Sequence, residues 1–306
     1  MTHQSLLAVN AGSSSVRLDF FSALRRVKQS QLRGVDIDAV TALRTFAEGA
    51  PGVHVVAHRV VHGGPRLRAT CIVSEEVEAE IRRAARLAPL HNPLALRWLD
   101  ASRKVFGAGT LQVVAFDTAF YVNLPDVSRR YALPKALAER HGARRYGFHG
   151  LAHAAMLKRW QAGAGQRSAV RVISLQLGAG CSITASRGGE AVDTSMGFSP
   201  TEGLVMATRC GDLDPGLVTY LQVQEQISPA QMEDLLNRGS GLLGMVGDAD
   251  AILFGGGVGE SAPEIRARIL RGMQWCGIEV WVIPVDEAQL IAAHARALLE
   301  NGANHE

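Results

Sequence analysis

The sequence predicts a mixed α/β protein of two similar halves with a cleft between them. Three observations carry that prediction. Leu6 to Val9 is a short apolar run that enters the polar turn Asn10-Ala11-Gly12-Ser13-Ser14-Ser15. The chain then resumes alternation, with Val16, Leu18 and Phe20 on one face and Arg17 and Asp19 on the other, which reads as strand, tight turn, strand. The pattern returns about 165 positions later, where Val172–Leu177 and Cys181–Ala185 flank Gly178-Ala179-Gly180, as a duplicated half would give. Between and after the two hairpins, β-branched runs alternate with helical patterns, the signature of layered α/β architecture. Two Gly/Ser turns facing each other across a cleft would clamp a polyphosphate from both sides through backbone N–H groups.

Composition narrows the partners. The chain has 306 residues, 47% hydrophobic and 20% charged, ordinary for a soluble globular protein and long enough for two domains. The formal net charge is +3 from 32 basic and 29 acidic residues, which makes no case for nucleic acid or an acidic membrane surface. No run reaches the ~18 apolar residues of a membrane helix, and the N-terminus lacks a signal-peptide pattern. The four cysteines, Cys71, Cys181, Cys210 and Cys276, never form C-x-x-C, so free thiols in a reducing cytoplasm are expected.

Taken in order, residues 22–50 are weakly patterned. Val53–Val61 reads as a buried strand running into the His62-Gly63-Gly64-Pro65 turn, and it places Arg59 and His62 at its C-terminal end, where ligands collect in open α/β sheets. A charged residue inside a β-branched run needs a partner or a ligand. Ser74 caps a helix over residues 75–87. Pro89 and Pro93 fix a rigid loop around His91, and a second helix covers 94–105,. Leu111–Phe116 is a buried strand ending on Asp117, whose carboxylate reads equally as a metal ligand or base and as a helix N-cap. Residues 121–147 read as loop-rich, with Pro125 and Pro134. His149 and His153 open a helix to Trp160 at i, i+4 spacing, a weak metal pattern without a third ligand nearby,. Hydrogen-bonding groups crowd Asp193–Gly203 and Thr208–Asp212. A helix starts near Asp214, and the strand at 250–254 enters Gly255-Gly256-Gly257-Val258-Gly259-Glu260-Ser261, glycines that let backbone approach a charged ligand. Pro263 starts a helix to about residue 276, a strand covers 280–284, and a last helix covers 288–299.

NAGSSS, HRVVHGG, LAPLHNP, FDTAF, YGFHG, DTSMGFSPTEGL, TRCGDLDP and GGGVGES occur in this order. Together they resemble the acetate kinase family (acetate, propionate and butyrate kinases) of the sugar kinase/heat-shock protein 70/actin superfamily, from Leu6 to about Ala292. The resemblance implies two duplicated ribonuclease-H-like (actin-like ATPase) domains. Residues 1–120 with 285–306 would form the N-terminal acyl- and phosphate-binding domain, and 121–284 the shortened C-terminal nucleotide-binding domain. It implies reversible phosphoryl transfer between ATP/ADP and a short-chain carboxylate with Mg2+, and a homodimer built largely through the shortened domain.

Residue by residue, Asn10 resembles the family position beside metal and transferred phosphate. Ser13, Ser15 and Arg17 fall in the same phosphate hairpin. Arg59 and Arg209 resemble the arginines that hold carboxylate and phosphoryl oxygens, and Asp117 the acidic residue at the reaction centre. Glu287 resembles a magnesium-linked glutamate. His149 and His91 resemble donors to the phosphoryl group. Val61, Leu90, Phe148 and Pro200 match the pocket for the alkyl end. Gly178, Gly180, Gly256, Gly257, Val258, Gly259 and Ser261 fall in the nucleotide-phosphate segments.

The departures concern the nucleotide. The family's second hairpin reads HLGNG, whereas here it is Gln176-Leu177-Gly178-Ala179-Gly180. A long segment between Gly244 and the strand at Ala251 is reduced to Met245–Asp250. Three readings follow: a reduced acyl kinase, a kinase using another donor such as pyrophosphate, or a non-catalytic protein that binds acetyl phosphate or carboxylate.

Overall fold

The first strand, β1 (Leu6–Ala11), pairs antiparallel with β2 (Ser15–Ser22), setting Asn10 opposite Arg17 and Ala11 opposite Val16. Gly12 N–H donates to the Ser15 carbonyl (2.9 Å) across the turn. A computed structural model describes residues 5–12, 15–22, 25–34, 37–49, 52–89, 91–107, 109–163, 171–246, 251–270 and 279–284. Ser13, Leu90 and Glu287 lie outside them, as do residues 285–306 with the expected last helix.

The chain divides into two compact units, Met1–Met206 with Cys210–Ile227, and Ala207–Arg209 with Ser228–Glu306. In the first, β2 continues into β3 (Arg25–Arg33) and α1 (Ala39–Ala47), whose N-terminus the Asp38 carboxylate caps at Val40 and Thr41 N–H. Next come β4 (Val55–Val60), β5 (Cys71–Ile72), α2 (Glu75–Ala84) capped by Ser74, α3 (Asn92–Phe106) and β6 (Leu111–Phe116). The strand order is β3-β2-β1-β4-β6-β5, with β1, β4 and β6 mutually parallel and β1, β2 and β3 antiparallel. An antiparallel meander followed by parallel strands across the first strand is the ribonuclease-H-like pattern. One core packs Leu7, Val9, Val16, Leu18 and Phe20 with Leu43, Phe46 and Trp98; a second packs Val60, Val114 and Phe116 with Ile81, Leu96 and Leu99.

Beyond β6 come a 3-10 turn at Asp117–Tyr121, α4 (Asp126–Arg129), α5 (Lys135–His141) and α6 (Gly150–Gly163). The antiparallel sheet β7 (Arg171–Leu177), β8 (Cys181–Arg187), β9 (Glu190–Thr194) follows, then α7 (Pro215–Gln224). This second meander matches the order of β1, β2 and β3. The other unit carries α8 (Pro229–Arg238), α9 (Gly241–Val246), β10 (Ala251–Phe254), α10 (Gly256–Ser261), α11 (Pro263–Leu270) and β11 (Glu279–Val282), with β10 parallel to β11.

Three stretches hold more regular structure than the sequence pattern predicts. Residues 22–50 hold β3 and α1. β3 is almost wholly exposed and rich in Arg, Lys and Gln, so it forms through its ladder to β2 and has no apolar alternation to read. Residues 121–147 hold two short helices that begin after Pro125 and Pro134, where a proline costs no hydrogen bond. Gly256–Ser261, read above only as a glycine-rich run after a strand, is a helical turn.

Candidate active site

Three neighbouring parallel strands deliver the centre of the site from their C-terminal ends. β1 ends at Asn10-Ala11, β4 carries Arg59 beside its last residue, and Asp117 follows β6, whose Phe116 pairs with Val60. Arg59 Nη2 donates to Asp117 Oδ2 at 2.6 Å and its Nε donates to both carboxylate oxygens at 3.1 and 3.3 Å. Arg59 Nη1 donates to Asn10 Oδ1 at 3.2 Å. The Asp117 side chain is 1% exposed and that of Arg59 22%. A buried carboxylate is therefore paired by a forked guanidinium whose other edge reaches towards solvent, the arrangement that suits Arg to oxyanions.

Arg17, the residue facing Asn10 across the hairpin, is drawn aside. Its guanidinium pairs with Asp19 on the same face of β2, Nε to Oδ2 at 2.9 Å. Ser15 contributes its carbonyl to the turn.

His149 sits in the left-handed region at φ +57° and its carbonyl accepts from Ala152 and His153 N–H, so it caps α6. A non-glycine residue there is strained by ~1–3 kcal/mol and held by its surroundings. Gly147 at φ +72° and Gly150 tighten the same corner. A Cβ on Gly147 would stand 2.4 Å from the Tyr121 ring, and one on Gly150 would stand 1.9 Å from the Asp117 carbonyl oxygen. Tyr121 Oη donates to the Phe148 carbonyl (2.8 Å) and lies 2.9 Å from Thr184 Oγ1; burial pushes its phenol up to about 12. His149 Nδ1 is 2.9 Å from Ser182 Oγ, and His153 Nε2 is 2.9 Å from the same oxygen. The i, i+4 histidines thus meet a shared serine hydroxyl. Among the described residues no group of three or more His, Cys, Asp or Glu is arranged to hold a metal ion.

Val61 and Phe148, both buried, pack with Ala88, Met196 and Met206. Pro200 is half-buried on the 195–203 loop. Glu202 fixes that loop: the Tyr131 hydroxyl donates to it, Arg145 pairs with it at 2.8 Å, and Phe198 N–H donates to Tyr131 Oη at 2.7 Å. His91 is half-buried before α3. Next to it, Asn92 clamps the β4 turn, accepting from His62 N–H (3.1 Å) and donating to the His62 carbonyl (2.9 Å).

The second hairpin closes with Gly178 N–H donating to the Gly180 carbonyl (3.1 Å). Arg209 belongs to the other unit, as do Gly256, Gly257, Val258, Gly259 and Ser261, which form α10. Arg266 Nη1 donates to the carbonyls of Gly259 (2.7 Å) and Glu260 (2.8 Å) there.

Sequence reasoning missed Asn92, Tyr121, Ser174 and Ser182, and weighed His153 only as a metal ligand. Serines on an alternating strand carry no signal of what they meet. The spacing of His149 and His153 was visible, but not the hydroxyl between them.

Residues 35–250 match the model of the Acetokinase family. Acetate kinase of Solibacter usitatus is 38% identical, with 84% of this chain and 78% of that protein aligned. Acetate kinase of Methanosarcina thermophila is 34% identical over 96% of this chain and 97% of its own. Among solved structures, a propionate kinase from Francisella tularensis superposes with a TM-score of 0.72 at 26% identity, covering 93% of this chain and 97% of that one. The acetate kinase of Porphyromonas gingivalis gives 0.67 at 27% identity, covering 97% and 100%.

Proposed function

Since the chain belongs to the acetokinase family of phosphotransferases with a carboxylate acceptor, we propose that it transfers the γ-phosphoryl group of ATP reversibly to acetate, giving acetyl phosphate and ADP. The observation that carries this reading is the Asp117–Arg59–Asn10 cluster at three adjacent strand ends, with the Asp117 carboxylate buried behind Arg59.

A carboxylate is already ionised at pH 7 and needs no strong base to attack phosphorus, so catalysis reduces to positioning and charge neutralisation. An acetate oxygen forms the new bond to the γ-phosphorus while the bond to the β–γ bridging oxygen breaks, and ADP leaves with that oxygen. Arg59, oriented by Asp117, holds oxyanions at the centre, and Arg209 is assigned the matching role. His149 and His91 donate to phosphoryl oxygens. The methyl group packs at Val61 and Phe148, with Leu90 and Pro200 assigned to the same pocket. The hairpin at Asn10, Ser13, Ser15 and Arg17 and the segments at Gly178, Gly180 and Gly256–Ser261 are assigned to the nucleotide phosphates.

The donor chemistry fits magnesium. Asn10 Oδ1 and the Asp117 carboxylate are hard oxygen ligands that both accept from the Arg59 guanidinium, and Mg2+ is typically held by one or two carboxylates with substrate phosphates. Asn10 and Glu287 are the assigned holders. When bound, the ion neutralises charge on the phosphoryl oxygens.

Gln176 and Ala179, where the family carries His and Asn, favour a second donor reading. The hydroxamate assay with acetate, magnesium and ATP, GTP or pyrophosphate in turn tests both. Acetyl phosphate formed with ATP is expected. Formation only with pyrophosphate selects the second reading, and the absence of product with all three donors overturns the kinase assignment.

A further inference from the structure

Gly197 joins two stretches that are far apart in the chain. Its carbonyl accepts from Tyr146 N–H (3.0 Å) and Gly147 N–H (3.4 Å), the residues just before Phe148. A closed side-chain network surrounds this backbone contact. The Tyr131 hydroxyl donates to Glu202 Oε2 and accepts from Phe198 N–H at 2.7 Å. Arg145 Nη2 pairs with Glu202 Oε1 at 2.8 Å. Its Nη1 donates to the Thr194 and Ser195 carbonyls at 3.0 and 3.3 Å, and its Nε to the Ser128 carbonyl at 3.1 Å. Each nitrogen of the guanidinium thus has an acceptor, and each oxygen of the carboxylate a donor. Burial, with Glu202 beside it, pushes the Tyr131 phenol up, so it stays a donor through the neutral range. Gly197 leaves the room for this network: a Cβ there would overlap Glu202 Oε2 and Tyr131 Oη. Phe148 and Met196, one from each joined stretch, pack with Val61 in one buried cluster.

We propose that Tyr131, Arg145 and Glu202 form a positioning clamp that holds the 195–203 loop, with Pro200, in register with Phe148, so that the pocket for the alkyl end of a short carboxylate stands preformed. A wall made from a loop and a neighbouring segment is only as stiff as the bonds that join them. A loosened loop must be ordered again on binding, and affinity falls by the population of the competent conformer. The three clamp residues touch no substrate and act through Phe148, Met196 and Pro200. Their loss is therefore felt as weaker carboxylate binding and not as slower chemistry. The role in the pocket rests on the acyl kinase reading, which assigned Phe148 and Pro200 to it; the clamp itself does not.

Two variants break the clamp in different ways. Tyr131→Phe removes the hydroxyl. Gly197→Ala displaces the far ends of Glu202 and Tyr131, which can give way without unfolding the chain. Ligand-free protein labelled at its methionine methyl carbons gives the direct readout. The Met196 signal, assigned by its loss in Met196→Leu, should shift or broaden in both variants, while that of Met232 on α8 stays in place. In the hydroxamate assay both variants should raise the KM for acetate about tenfold, the loss of one hydrogen bond to a carboxylate, with kcat and the KM for ATP within about twofold. Titration calorimetry reads acetate affinity without turnover, so the clamp stands or falls even where no acetyl phosphate forms. A Met196 signal unmoved in both variants overturns the clamp. Acetate affinity that is unchanged, absent from the parent protein, or lost in step with ATP affinity overturns its role in the pocket.

Discussion

Asp117→Asn is the sharpest probe of the centre. The substitution keeps size and shape but replaces one carboxylate oxygen by an amide that cannot accept. In the native protein Arg59 makes contacts of 2.6, 3.1 and 3.3 Å to the two oxygens. Asparagine leaves one acceptor, and its NH2 group faces the guanidinium. A lost hydrogen bond to a charged group is worth about 1.5–3 kcal/mol. If all of it is felt in the transition state, kcat falls about 10- to 150-fold at 1.36 kcal/mol per decade. Acetate KM should move much less, because the lost contact is one strengthened in the transition state and the methyl pocket at Val61 and Phe148 is untouched. The hydroxamate assay gives kcat and KM, and a cooperative thermal melt shows that the protein is folded. A folded variant with unchanged kcat refutes the idea that Asp117 sets the working geometry of Arg59.

Other outcomes follow from the same geometry. Gly150→Ala forces a methyl group into the Asp117 carbonyl and should cost about 1–3 kcal/mol or more, read as a lower denaturation midpoint together with a loss of kcat. Val61→Ala removes part of the Val61–Phe148 packing and should shift kcat/KM towards propionate; a methylene is worth ~1–3 kcal/mol, so a ratio unchanged within about twofold contradicts the pocket assignment. His58, His62 and His153 are held neutral by burial, at about 4, 3 and 4. The unfolded chain takes up protons below about 6.5 while the folded one does not. Stability is thus full above pH 6.5 and falls as pH drops towards 4, by about 1.4 kcal/mol per unit for each ring; urea midpoints that stay flat from about pH 6.5 to 4.5 would contradict it.

The first half of the fold was legible because its strands alternate cleanly or run β-branched between turn residues. Arg59 announced itself as a charge inside a buried strand, and Asp117 as a carboxylate just after one. That they touch was not legible, since register between strands far apart in sequence has no local signal. β3 was hidden because an exposed edge strand needs no apolar face. Arg17 was placed correctly in the hairpin, yet its side chain turns to Asp19, a competition that only the same-face geometry of β2 reveals. The contacts beneath His149 depend on Ser174 of β7 and Ser182 of β8 both reaching the His153 ring, where any small polar residue would satisfy the strand pattern equally well.

The three strand ends also bear on how the protein is made. Arg59 lies 49 residues from Asn10 and 58 from Asp117 along the chain, and both partners come from parallel neighbours. Parallel pairing closes long loops before it yields any contact, which is slow. No local fragment holds two of these side chains together. A nascent chain leaves Arg59 without its carboxylate partner until β6 has been synthesised and inserted. The charge pair at the centre is therefore completed only by the insertion of β6 beside β4.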